Sequence, residues 1–80
     1  MNKKYWYIGI IGYRDGKSTL TYVTHIDNSK RLSCWTRGEK PLAFSKQLAF
    51  DISEALAMNL YNCVVVCSSR ELDKNDNNIG

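Results

Sequence analysis

Eighty residues with 44% hydrophobic and 11% aromatic side chains make one small domain, outside the apolar-poor, highly charged range of disordered chains. A chain this short buries only about 60–65% of the surface its unfolded form exposes, so its core is thin and contacts beyond it matter. The net charge of +3 hides an asymmetry, with nine Lys/Arg against three Asp/Glu in residues 1–46 (+6) and two against five in residues 47–80 (−3), yet no basic run exceeds two residues and no basic block marks a nucleic-acid face.

The first apolar stretch, Y-W-Y-I-G-I-I-G-Y at residues 5–13, follows Lys3-Lys4 as the centre of an export signal would. Glycines and tyrosines interrupt it, and it runs into Arg14-Asp15-Gly16 with no small-residue cleavage site, which argues against a leader. It also falls well short of the roughly eighteen apolar residues of a membrane span. A cytoplasmic protein with no membrane partner is the expectation. Cys34, Cys63 and Cys67 agree with that: they form no C-x-x-C pair, and on one strand Cys63 and Cys67 lie about 13 Å apart, beyond disulfide reach. They read as reduced, small apolar residues.

Asp15-Gly16 sits between two β-rich runs, where Asp-Gly signals a type I′ hairpin whose central residues both need positive φ. Residues 5–13 and 18–26 are the expected strands. With Arg14 opposing Lys17, counting back sets Ile11 opposite Leu20, Gly9 opposite Tyr22, Tyr7 opposite Thr24 and Tyr5 opposite Ile26 on one face. The other face carries Ile10 with Thr21, Ile8 with Val23 and Trp6 with His25. Gly9 opposite Tyr22 suggests a ring lying over a bare backbone position.

Asp27-Asn28-Ser29-Lys30 is turn chemistry, and residues 31–36 alternate as a third strand. Gly38-Glu39-Lys40-Pro41 ends it, because Pro41 has no N–H for a ladder. Ser45 is a good N-cap, with Phe44 before it and Ala49 at the staple position, for a helix over residues 46–59. Leu48, Ile52 and Leu56, with Ala49 and Ala55, form its core stripe, while Phe50, Ala57 and Tyr61 fall on another side and make Phe50 a candidate second contact. Asn59 or Asn62 ends the helix in the left-handed conformation. Residues 63–67 are a fourth strand, apolar without alternation and so covered on both sides, and the polar stretch from Ser68 reads as a disordered tail.

The order β-β-β-α-β implies an α+β domain over residues 1–67, with 68–80 as the tail: a four-stranded sheet in the order 3-2-1-4, the fourth strand parallel to the first, and a single helix packed on one face. One helix covers one face. Trp6, Ile8, Ile10 and Val23 are expected beneath it, since aliphatic side chains interdigitate with Leu48, Ile52 and Leu56. Tyr5, Tyr7, Ile11, Tyr13, Leu20, Tyr22 and Ile26 are left as an open face too apolar to stay wet, and with Phe50 they form the expected partner interface.

Catalytic chemistry has little to work with. His25 is the one histidine and reads as a partly buried strand residue opposite Trp6, and nothing local activates a cysteine thiolate. Asp51 and Glu54 are neighbours on a solvated helix face, and G-I-I-G at residues 9–12 lies inside a strand with no Lys or Ser/Thr after it to hold a phosphate. No metal set and no cofactor site is expected, and no enzyme. Three binding readings remain. Two sheets pack face to face in a homodimer or higher assembly; or the face docks on a target protein, or an edge strand extends a partner's sheet; or Tyr5, Tyr7, Tyr22 and Trp35 stack single-stranded bases while Lys3, Lys4, Arg14, Lys17, Lys30, Arg31 and Arg37 meet phosphates.

The stretch W-T-R-G-E-K-P-L-A-F-S-K at residues 35–46, with Ala49, Ile52 and Leu56 and then N-L-Y-N-C-V-V-V at residues 59–66, resembles small accessory proteins encoded by phages and prophages of low-GC Gram-positive bacteria. In these a Trp-bearing strand leads to an F-S helix start and a closing strand; the present chain has Leu60 where they usually carry Gly after the Asn. The resemblance implies a host-takeover or anti-defence protein acting by binding in the host cytoplasm, for instance on a CRISPR effector, and it carries over no site residue. The expectation is thus a non-enzymatic protein-binding module that self-associates and binds a host protein. The alternative is a small single-stranded nucleic-acid-binding module.

Overall fold

In the computed structural model, which describes residues 3–73, Asp15 and Gly16 have φ of 53° and 78°, both positive as a type I′ turn requires. The turn joins β1 (Tyr5–Arg14) to β2 (Lys17–Tyr22) antiparallel in the expected register, with Gly9 opposite Tyr22, Ile11 opposite Leu20 and Arg14 opposite Lys17.

That pairing stops earlier than expected. Val23 N–H still reaches Ile8 O at 2.8 Å, but the buried Thr24 turns the chain away: its N–H donates to Trp35 O at 2.8 Å and its hydroxyl accepts from Arg37 N–H at 3.1 Å. The following residues form β3 (His25–Asp27) against β4 (Ser33–Trp35) in a separate two-stranded antiparallel sheet, His25 opposite Trp35. Asp27 closes the turn between them by accepting Ser29 N–H at 2.9 Å, which holds its carboxyl below the usual range. The expected pairs Tyr7–Thr24, Trp6–His25 and Tyr5–Ile26 are therefore replaced. Residues after β4 take the vacated edge, Leu42 N–H donating to Val23 O at 3.0 Å and Phe44 N–H to Trp6 O at 2.8 Å. Folding the second sheet away from the first adds Ile26, Leu32 and Cys34 to the core of Ile8, Val23, Ala49 and Leu56, which one helix on a short chain would leave partly uncovered.

The helix α1 (Lys46–Met58) begins at the Trp6 end of β1, its first turn capped by Ser45 Oγ, which accepts Leu48 N–H at 3.3 Å. Its 13 residues rise about 20 Å, enough to follow β1 over the roughly 17 Å from Trp6 to Ile11. There the chain turns into β5 (Cys63–Ser68), which runs back antiparallel to β1, Ile10 opposite Cys63 and Tyr5 opposite Ser68. The expected parallel fourth strand assumed that the helix returns the chain along the sheet. Residues 36–44, which bend at Gly38-Glu39 and then bond to Val23 and Trp6, have already returned it, so α1 travels with β1 and β5 comes back. The protein is α+β, but it has a three-stranded sheet in the order β2-β1-β5 and a two-stranded sheet β3-β4 rather than one sheet of four.

The helix seats as expected over Trp6, Ile8, Ile10 and Val23, but its seam runs through Ala49, Ile52 and Leu56, and Leu48 is 48% exposed. Ala49 is small enough to let the helix approach the sheet, which turns Leu48 outward. The helix closes in a Schellman motif, Leu60 N–H donating to Ala57 O (3.0 Å) and Tyr61 N–H to Leu56 O (3.1 Å). The left-handed residue is Leu60, φ 70°, rather than an asparagine; Asn59 stays at φ −99° and spends its side-chain amide on Leu32 O at 3.0 Å, tying the helix end to the second sheet.

Candidate binding face

Alternation along β1 sends Tyr5, Tyr7, Ile11 and Tyr13 to the face opposite the helix, and the two registers add Leu20 and Tyr22 from β2 and Val64 and Val66 from β5. Gly9 lies at the centre. A Cβ there would come within 2.5 Å of Leu20 Cδ1 and 3.3 Å of Val64 Cγ2, so two aliphatic side chains close over the bare backbone. The expected ring over Gly9 is not what fills the space: Tyr22 turns edge-on to Tyr7, centroids 5.9 Å apart. A T-shaped pair satisfies both ring quadrupoles better than a ring laid on backbone does.

The face is not open along its whole length. Tyr7 is fully buried, and its hydroxyl accepts Leu72 N–H at 2.9 Å. Beside Leu72, Glu71 meets Lys40 at 3.0 Å, so the stretch after β5 crosses the Tyr7 end of the sheet and is pinned on the far side. Of the segment read as a tail from Ser68, residues 68–73 thus lie on the fold, and 74–80 lie outside the described residues. What stays accessible is the hairpin half: Tyr13 is 76% exposed, and Ile11, Leu20, Tyr22 and Val64 are half-buried. Arg14 and Lys17, opposite one another at the tip, give this half a basic rim.

The other expected interface residues are elsewhere. Ile26 sits in β3 and packs on the core from the helix side, and Phe50 lies on α1 against Trp6, ring centroids 6.1 Å apart, with 47% of its surface exposed. The residues considered for nucleic acid do not assemble on one face. Lys30 and Arg31 line a cleft of about 490 Å3 with Leu32, Asn59 and Tyr61 beside the second hairpin. Trp35 ends β4, Arg37 follows it, and Lys3 is stacked on the Tyr5 ring at 5.2 Å. Lys46 lies likewise over Trp6 at 5.6 Å.

His25 is exposed rather than partly buried, since the break after β2 moved it off Trp6; its Nδ1 is 2.9 Å from Thr24 Oγ1 and its Nε2 3.8 Å from the Glu39 carboxylate. Burial, with Cys63 close by, pushes the Cys34 thiol up to about 11, and burial pushes Cys63 up as well against a hydrogen bond with Ser53. Both are kept as neutral thiols, the form that packs and does not attack. Among the described residues no cluster of His, Cys, Asp and Glu is arranged to hold a metal ion, and no helix is long and apolar enough to cross a membrane.

Sequence reasoning missed Val64 and Val66 as face residues, because an unbroken apolar run hides which side each residue takes. It missed Leu72 too, whose only signal was one apolar side chain in a polar stretch. Compared with protein-family models, with curated proteins and with solved structures, the chain matches none.

Proposed function

We propose that the protein is a non-enzymatic protein-binding module whose contact surface is the hairpin half of the sheet face: Ile11, Tyr13, Leu20, Tyr22 and Val64, rimmed by Arg14 and Lys17. The observation that carries this reading is the division of one apolar face into two halves. Residues 69–73 cover the Tyr7 half with a hydrogen bond and an ion pair, and the Tyr13 half keeps an aromatic side chain 76% exposed among half-buried aliphatics. Tyrosine with aliphatic neighbours and a basic rim suits a protein partner with an apolar centre and acidic margins. The resemblance to phage accessory proteins supports a host factor as that partner, with the chain acting as an anti-defence inhibitor.

The test is affinity capture from host lysate with three baits: wild type, the face variant Tyr13→Asp/Leu20→Asp, and Met58→Asp on the solvent side of the helix, where Met58 is 82% exposed. A protein held in stoichiometric amount by wild type and Met58→Asp and lost from the face variant supports the reading. Identical captures by all three sink it. Phage plating on defence-carrying hosts, unchanged by expression of the protein, would remove the anti-defence role while leaving the binding role standing.

A further inference from the structure

The two edges of the three-stranded sheet are unlike. The β2 edge carries Lys17 with Thr19 and Thr21, whereas β5 reads C-V-V-V-C-S, with none of the charges, prolines or glycines that keep exposed edges from pairing. Ile11 N–H donates to Asn62 O at 2.8 Å, which sets the phase of the β1–β5 ladder: residues 62, 64, 66 and 68 turn their backbone groups toward β1, and Cys63, Val65 and Cys67 turn theirs outward. Among the described residues no hydrogen bond reaches those outward groups.

We propose that this edge pairs with the same edge of a second copy, antiparallel about a twofold axis at Val65, joining two three-stranded sheets into one continuous sheet. Three features name the occupant. Cys63-Val64-Val65-Val66-Cys67 reads identically in both directions, so a twofold centred on Val65 sets Val65 against its own mate and each Cys63 against a Cys67, like beside like on both faces. The outward phase falls on these same residues, so each of the three opposed pairs exchanges two N–H···O=C bonds. Finally, no Asp, Glu, Lys or Arg occurs from residue 55 to residue 69, so two copies meet at this edge without like-charge opposition. The flank of α1 above the edge agrees with this. Ser53 lies beside the Cys63 thiol there, and Phe50, one turn earlier, is 47% exposed. A twofold perpendicular to the sheet puts both helices on one face with their Phe50 flanks turned toward each other. The pairing leaves the binding face uncovered, since that face lies on the side of the sheet away from the helices, and the twofold sets the two hairpin halves at opposite ends of the joined sheet.

The full chain is examined by light scattering and residue-resolved amide exchange. The expected mass at about 100 µM is twice 9.2 kDa, with the Val65 and Cys67 amides slowed at least about tenfold relative to a dilution where the dimer separates. Cys67→Pro removes one outward N–H and no β1 ladder bond at an exposed side chain, and is expected to be monomeric. Cys67→Ser keeps the N–H and stays dimeric. A monomeric wild type overturns the proposal, as does a dimer whose Val65 amide exchanges freely or a Cys67→Pro chain that keeps the doubled mass. Should Cys67→Pro fail to fold, the wild-type exchange pattern decides alone.

Discussion

Replacing Leu60 with glycine should stabilise this protein, although it removes a large apolar side chain. Leu60 is 90% exposed, so its loss takes almost nothing out of the core. Its backbone is at φ 70°, the one described left-handed residue outside the Asp-Gly turn, and holding an L-residue there costs about 1–2 kcal/mol. Glycine occupies that region freely, but its greater freedom in the unfolded chain returns about 0.5–1 kcal/mol of the gain. The net expectation is a gain of about 0.5–1 kcal/mol, a rise in Tm of about 3–6 °C for a domain of this size. Thermal unfolding followed by circular dichroism reads the shift. Leu60→Ala is the control: it truncates the side chain and keeps the strain, so it should show no such gain. A Leu60→Gly protein no more stable than wild type, or one matched by Leu60→Ala, would refute the account of the helix end, which then could not rest on the Schellman bonds to Leu56 and Ala57.

Other outcomes follow from single groups. Tyr7→Phe leaves Leu72 N–H without its 2.9 Å acceptor and should cost about 1 kcal/mol in urea unfolding while speeding exchange of the Leu72 amide. Thr24→Val removes the buried hydroxyl that takes Arg37 N–H at 3.1 Å and should cost about 1–3 kcal/mol, loosening β3 and β4 before the main sheet in residue-level exchange. A maleimide at about pH 8 should label the exposed Cys67 well before Cys34, whose thiol ionises only toward about 11. Because the folded chain holds the Cys34 and Cys63 protons more tightly than the unfolded one, stability should fall as pH rises from the ordinary thiol value of 9.0 toward about 11, and Cys34→Ala should weaken that dependence; a flat profile would contradict it.

Local signals were legible where one or two residues decide the geometry. Asp15-Gly16 set the hairpin and its register, Ser45 the helix start, and the alternation of β1 its two faces. The errors have one origin, in segments whose position depends on what lies beside them. Residues 18–26 read as one strand because nothing local marks Thr24 as a corner; its role exists only once Trp35 and Arg37 arrive to share its hydroxyl and N–H. Residues 38–41 read only as the break that ends the third strand, yet the stretch they open carries the chain back to Trp6 at Phe44, and that return reverses the direction of β5. The left-handed conformation expected of Asn59 or Asn62 falls on Leu60, because the Schellman bonds to Leu56 and Ala57 put the residue after the cap at that φ. For the binding face, the residues of β1 and β2 were identifiable from the register. Which half stays uncovered was not, since Leu72 reaches Tyr7 across 65 positions of sequence.

If the Tyr13 half of the sheet meets a protein partner, a photo-crosslinking residue in place of Tyr13 captures that partner. Irradiation of cells that express the protein should yield a discrete adduct from Tyr13, whereas the same residue in place of Met58, 82% exposed on the helix side of the molecule, should yield none. Adducts of equal amount and identity from both positions, or from neither, would contradict the claim.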